Sequence, residues 1–234
     1  MLGKLYLIPT TLGDTEPLEV MPISVKQVIE KLNHFIVENE KTARRYIKRI
    51  TPGKAQSALN FMLIDKYSHE LETQNYLDVC SEGISVGILS EAGVPGVADP
   101  GATVVKQAHE KGIQVIPLVG PSSILMAIMA SGLNGQNFTF NGYLPIDKSD
   151  RKRRIKELEK ISRDKEQSQI FIETPYRNNK MLDDLKATLQ SNTQLSVACD
   201  ITLPTEYIKT FPVKKWKTEN VDLHKRPTIF IIQA

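Results

Sequence analysis

Four stretches of small residues interrupt the apolar runs of this chain: PTTLGD at 9–14, SEAGVPGVADPG at 90–101, VGPSS at 119–123 and ETPYR at 173–177. Each follows a run that reads as a strand. Small side chains let the backbone come close to a ligand, which its N–H and C=O groups can then read. In open α/β sheets, ligands sit at the carboxyl ends of strands, near a reversal of strand order. Any one of these stretches reads equally well as a tight turn or a helix start. Four of them at the same kind of position favour a ligand cleft. The 90–101 stretch is the most telling, because a plain connection needs only about 2–6 residues. Its Pro95 and Pro100 restrict the loop before a ligand arrives. Other signatures are missing: there is no GxGxxG, P-loop lysine, CxxC, HExxH or GxSxG pattern. His34, His69, His109 and His224 are scattered and read as surface or structural residues.

Loops of this kind need strands and helices to hold them. Apolar runs predict strands over 5–9, 35–37, 61–64, 84–89 and 115–118. Between them, helices are expected over 39–50, 68–79 and 103–111, the last closed by Gly112. Val25, Val28, Ile29 and Leu32 share a helical face behind a capping-box pattern of Ser24 and Gln27. A further helix over 122–130 stops near Gly132. This alternation implies a mostly parallel sheet. The second half has a different texture. It predicts a strand at 138–140, a very basic helix at 149–161 and a strand at 169–173. A helix over 176–190 follows, with Met181, Leu182, Leu185 and Leu189 on one face. Strands at 195–202, 207–211 and 228–232 have few helices between them, which suggests a mixed sheet with antiparallel neighbours. The expected division is an N-terminal α/β lobe over 1–119 and a C-terminal one over 120–234.

The chain has 234 residues, 41% hydrophobic and 24% charged, which is ordinary for a globular protein. A net charge of +3 permits a nucleic-acid partner without arguing for one. Cys80 and Cys199 lie far apart, offer no metal spacing and read as reduced, buried thiols. The runs LYLIP and ILMAIMA are too short for a signal or a membrane span. A soluble cytoplasmic protein without a metal is expected.

The blocks LYLIPTTLGD, GILSEAGVPGVADPG, VIPLVGPSSILMAIMASGL, FTFNGYLP and FIETPYR resemble, in order and over most of the chain, those of the tetrapyrrole methylase superfamily. The nearest branch is the ribosomal RNA small-subunit methyltransferase I group. The resemblance implies a class III S-adenosylmethionine-dependent methyltransferase with two α/β lobes, the cofactor in the cleft between them, and a homodimer. That branch methylates a cytidine 2′-hydroxyl in 16S ribosomal RNA; relatives act on corrin and porphyrin precursors. Carried over by block, Thr10, Thr11 and Gly13 would lie near the cofactor. Ser90, Glu91, Gly93 and Val94 would form the central cofactor loop. Ser122, Ser123, Glu173, Asp200, Ile201 and Thr202 would border the cofactor. The chain departs from the branch at several places, the segment Glu16–Ser24 among them. Thr11 replaces a proline and Glu91 an aspartate. In VENEKTARR at 37–45, Glu38 and Arg44 are kept while Asn39 replaces an acid and Lys41 an arginine.

A sulfonium is an activated methyl donor, so the protein must mainly align donor and acceptor. A hydroxyl acceptor also benefits from a base within hydrogen-bond reach, and Glu38, Glu91 and Glu173 are the candidates. Glu91 could instead cap the backbone of its own loop. Basic clusters at 44–49, 148–160 and 214–217, the last around Trp216, suit phosphate and base contacts, although such runs are commonly solvated faces. Three readings follow: a methyltransferase for ribosomal RNA or the small ribosomal subunit, one for a small molecule such as a tetrapyrrole, and a non-catalytic relative that binds RNA or ribosome.

Overall fold

The computed structural model describes residues 1–65 and 73–234. They form two compact units, Met1–Ser122 and Ser123–Ala234, each built on its own five-stranded sheet.

The first unit holds β1 (Lys4–Ile8), β2 (His34–Val37), β3 (Asn60–Leu63), β4 (Val86–Leu89) and β5 (Gln114–Pro117), all parallel in the order β3-β2-β4-β1-β5. The central strands are apolar on both faces because helices cover both. On one face, Ile8, Phe35, Val37 and Leu89 pack against α2 (Ile23–Lys31) and α3 (Glu40–Ile50) through Val25, Ile29, Ala43, Ile47 and Ile50. On the other, Leu5, Ile36, Val86 and Ile88 meet Val104 and Ala108 of α4 (Ala102–Glu110). Gly87 lies where these layers are tightest: an added Cβ would stand 2.6 Å from Ile8 Cδ1 and 3.1 Å from Leu32 Cδ1.

The order of strands creates the site. β1 and β4 are neighbours, yet the chain leaves β1 toward the face covered by α2 and leaves β4 toward the face covered by α4. Adjacent parallel strands whose connections part to opposite faces are where such sheets bind ligands. Register places Leu89 beside both Ile8 and Val37, so the loops after β1, β2 and β4 start at one level.

The second unit orders β6 (Phe138–Tyr143), β7 (Ser168–Ile172), β8 (Gln194–Cys199), β9 (Tyr207–Pro212) and β10 (Thr228–Gln233) as β6-β7-β10-β8-β9. Only β6 and β7 pair in parallel, so the expected mixed sheet is present. Its core joins Phe171, Phe230, Val197, Leu195 and Trp216 to α6 (Lys148–Lys165) and α7 (Asn178–Thr188). The preceding helix, α5, spans Ser123–Ser131, and Gly132 ends it at φ +70°.

Three sequence expectations differ from the structure. Ser24 does not cap α2: Pro22 is the cap residue, without a side-chain bond, and Ser24 lies inside the first turn. The fixed φ of Pro22 sets the entry into the helix, and no side chain accepts from its first N–H groups. The helix expected over 68–79 lies outside the described residues over 68–72, and its far end is a short 3-10 helix, Asp78–Glu82. The strand expected over 195–202 stops at Cys199, because Asp200 and Thr202 turn to φ +51° and +73°.

Candidate functional site

The loops after β1 and β4 are laced together. Thr10 N donates to Gly93 O at 2.9 Å and Gly93 N returns a bond to Thr10 O at 3.2 Å. The buried hydroxyls of Thr10 and Ser90 lie 3.2 Å apart, and Ser90 also donates to Gly93 O. Since Ser90 has one proton to give, Thr10 is the donor between the two hydroxyls. Gly93 holds φ +77°, which favours glycine, and a Cβ there would meet Leu12 Cδ2 at 3.1 Å and Pro121 O at 3.4 Å. The small residues of the 90–101 stretch are thus explained by close backbone pairing at the switch in strand order.

Three acids gather at this edge. Glu38 follows β2, Glu91 follows β4, and Asp99 lies further along the same long loop. Burial first, then a hydrogen bond with Glu38 and the charges of Glu38 and Glu91, push the Asp99 carboxyl up to about 8. Its neighbour Ala98 sits at φ +58°, a left-handed conformation uncommon for a residue with a side chain. Glu91 is exposed, and its carboxylate accepts from Thr42 Oγ1 of α3 at 2.6 Å. It therefore reaches across to a helix instead of capping its own loop. Sequence reasoning missed Asp99, which was quoted only as part of the loop; its acid type beside a proline was the available signal.

Asn39, which replaces an acid of the resembling branch, caps α3: its Oδ1 accepts from Lys41 N at 2.9 Å and Thr42 N at 3.2 Å. Asparagine and aspartate cap about equally well, so this departure leaves the helix start intact and keeps Thr42 facing Glu91.

Beside the acids lies a cavity of about 440 Å³, lined by Thr10, Thr11, Gly13, Ser90 and Glu91 from the loops and by Thr42, Arg45, Tyr46 and Arg49 from α3. Arg49 is held in place by Asp14 and by Glu16 at 3.0 Å. The Tyr46 hydroxyl donates to Pro9 O at 3.3 Å, and burial pushes its pKa well above the usual phenol range. Arg45 is exposed and has no partner among the described residues. The cavity therefore offers one free guanidinium next to hydroxyls and a carboxylate. Val94 lies on the same long loop and Ser122 ends the first unit.

The remaining expected residues belong to the second unit, apart from Ser123, which opens its first helix. β7 and β8 both run antiparallel to β10, so Glu173 after β7 and Asp200 after β8 leave the same edge of that sheet. Both are buried and paired. Glu173 Oε1 accepts from Arg177 Nη2 and Thr174 N, each at 2.6 Å. Asp200 Oδ2 accepts from Arg226 Nε at 2.8 Å and from Thr205 Oγ1 at 2.7 Å. Arg226 also offers its carbonyl to Asn178 Nδ2 at 2.6 Å, which ties the two loops together. Sequence reasoning passed over Arg226, because no motif marks it. Between Asp200 and Thr202, Ile201 is buried, and the β-branched Thr202 at φ +73° is a true outlier whose hydroxyl is buried without a partner. Held strain of this kind concentrates at ligand sites.

Among the described residues no group of His, Cys, Asp and Glu side chains is arranged to hold a metal, and no helix is long and apolar enough to cross a membrane. Cys80 and Cys199 are buried free thiols, and burial pushes both up in pKa.

Residues 4–216 match the family model of the Tetrapyrrole (Corrin/Porphyrin) Methylases. Among curated proteins, the chain is 27% identical to the ribosomal RNA small subunit methyltransferase I of Vibrio cholerae over 233 residues, covering 98% of this chain and 77% of the relative. It is also 27% identical to the protein of that name in Escherichia coli O157:H7, over 99% of this chain and 78% of the relative. Among solved structures, the methyltransferase CobJ shares the fold with a TM-score of 0.64 at 14% identity, over 99% of this chain and 94% of CobJ.

Proposed function

From the premise that the chain belongs to the tetrapyrrole methylases and is an S-adenosylmethionine-dependent methyltransferase, we propose that its acceptor is small-subunit ribosomal RNA, at a cytidine ribose 2′-hydroxyl. The observation that carries this reading is the carboxyl pair of Glu38 and Asp99 beside a cavity with a free arginine. A ribose hydroxyl gives up its proton as it gains a methyl group. Asp99, hydrogen-bonded to Glu38 and pushed up to about 8, is a carboxyl that exchanges a proton near neutral pH, the range in which a base must take one up. Arg45 suits the phosphate next to such a ribose. The cavity lining mixes hydroxyls and charges with Leu12, Pro17, Ala43, Leu89 and Ala92, and the free guanidinium among them favours a phosphate-bearing acceptor.

S-adenosylmethionine, when bound, supplies a methyl group on a positively charged sulfur. The residues present fit it. The exposed Glu91 carboxylate can accept from ribose hydroxyls or face a positive charge. Gly96, at φ +79° with open space where a Cβ would stand, presents bare backbone. In this reading the chain's loops bind and orient, while Glu38 and Asp99 handle the proton. Glu173 and Asp200 serve as charged supports of their loops.

The deciding assay follows transfer of a labelled methyl group to unmodified 30S particles and, separately, to free tetrapyrroles. The expected result is label in 16S RNA at an alkali-resistant linkage. Glu38→Gln is expected to slow transfer by roughly 10²-fold or more with cofactor affinity unchanged. Label in a tetrapyrrole but not in 30S particles would overturn the proposal.

A further inference from the structure

Helix α6 offers an observation independent of the cavity. Its 18 residues bury Ile155, Leu158 and Ser162 against the second unit's core. Arg151 is drawn inward too, donating to Asp184 at 2.6 Å and to the carbonyl of Ile146 at 2.6 Å. Most acids of the helix are occupied in other ways; the exception is Asp164, which is exposed near its end. Asp147 caps it, Asp150 pairs with Arg153 and Glu157 with Arg154, and Glu159 is buried, accepting from Gln190 N and Thr193 Oγ1.

What remains exposed is a row of cations: Lys152, Lys156, Lys160 and Arg163. None has a partner among the described residues. At about 100° per residue they fall within about 80° of one another around the helix, and at 1.5 Å per residue they span about 16 Å. Like charges four residues apart each cost a few tenths of a kcal/mol, and lysines near a helix start oppose its dipole. Asp164, four residues after Lys160, and the place of Arg163 in the last turn offset part of that cost at one end of the row, and Lys152 and Lys156 have no such offset.

We infer that this face of α6 binds the phosphate backbone of RNA beyond the acceptor nucleotide. The inference rests on the ribosomal RNA reading above and adds a second point of contact to it. The charge is complementary, and successive lysines about 6 Å apart along a rigid axis suit successive phosphates of one strand. A membrane surface fits less well, because an interfacial helix must insert its apolar face, and here that face is inside the unit.

The test compares the wild-type chain with the variant Lys152→Gln, Lys156→Gln, Lys160→Gln, Arg163→Gln. A control removes four exposed cations elsewhere: Lys31→Gln, Lys106→Gln, Lys180→Gln, Lys209→Gln. Binding to a 16S RNA fragment is measured between about 50 and 300 mM salt. Each lost phosphate contact lowers the slope of log K against log salt by about 0.7–0.9. The α6 variant is therefore expected to lose about 3 from the slope and roughly tenfold or more in affinity at 100 mM, with calorimetric S-adenosylmethionine affinity unchanged. An unchanged slope, or an equal loss in the control, would overturn the inference while leaving the acceptor reading standing. Wild-type protein that binds no RNA would overturn both. Binding to phosphatidylserine vesicles that disappears in the α6 variant, with RNA affinity intact, would replace RNA by a membrane partner.

Discussion

Replacing Asp99 by asparagine isolates the unusual electrostatics of the site. The folded chain pushes Asp99 up to about 8 through burial and the neighbouring acids, while an unfolded chain leaves it near about 4. Between those values the folded state holds a proton that the unfolded state has lost. Stability is therefore fully present below about pH 4, falls as pH rises and levels off above about pH 8. Full linkage for one proton is ~1.4 kcal/mol per pH unit. Asp99 is partly exposed, so water screens it, and about a third of that slope is expected. From pH 5 to 8 the wild type should lose ~1.5 kcal/mol through this group. At ~2–4 °C per kcal/mol for a chain of this size, that is ~3–6 °C in Tm. Asparagine keeps the neutral shape at every pH, so the Tm of Asp99→Asn minus that of wild type should grow by ~3–6 °C between pH 5 and 8. Scanning calorimetry at several pH values measures this directly. A difference that stays flat across the window would show that Asp99 titrates as an ordinary carboxylate. The proton-sharing argument for catalysis would then fail with it.

Two further outcomes test the scaffold around that pair. Gly93→Ala forces a side chain into φ +77° against Leu12, and should cost ~1–2 kcal/mol, read as a lower urea midpoint with unchanged m-value. Asn39→Ala removes the cap of α3 and should cost ~1 kcal/mol, whereas Asn39→Asp should stay within a few tenths; an aspartate variant as unstable as the alanine one would refute the capping account.

Much of the fold was legible because its signals are local. The strands of both sheets announce themselves as short apolar runs, and the very basic stretch at 149–161 reads as a helix, found as Lys148–Lys165. The loops after β1 and β4 were legible because glycine at positive φ, as at Gly93, has few substitutes. What remained hidden depends on partners distant in sequence. Glu91 reads in sequence as a candidate base or as a cap of its own loop, and Thr42, far away on α3, donates to its carboxylate. Asp99 looked like part of a turn, and only the return of β2 beside β4 brings Glu38 within hydrogen-bonding distance. Arg226 carries no motif, but the antiparallel β10 delivers it to Asp200.

These long-range pairings bear on the segment at 37–45, where the chain departs most from the branch it resembles. Glu38 keeps its contact with Asp99, and Asn39 keeps the helix cap. Thr42 keeps Glu91 in place, and Arg45 faces the cavity without a partner. The substitutions thus leave the helix start and the acid cluster standing and alter the charges beside them, at Asn39 and Lys41. The fold holds the half-buried Asp99 carboxyl against two other acids, an arrangement that costs stability at neutral pH. Under the proposed reading, the substitutions at Asn39 and Lys41 change what the segment can grip and leave the Glu38–Asp99 pair as it is.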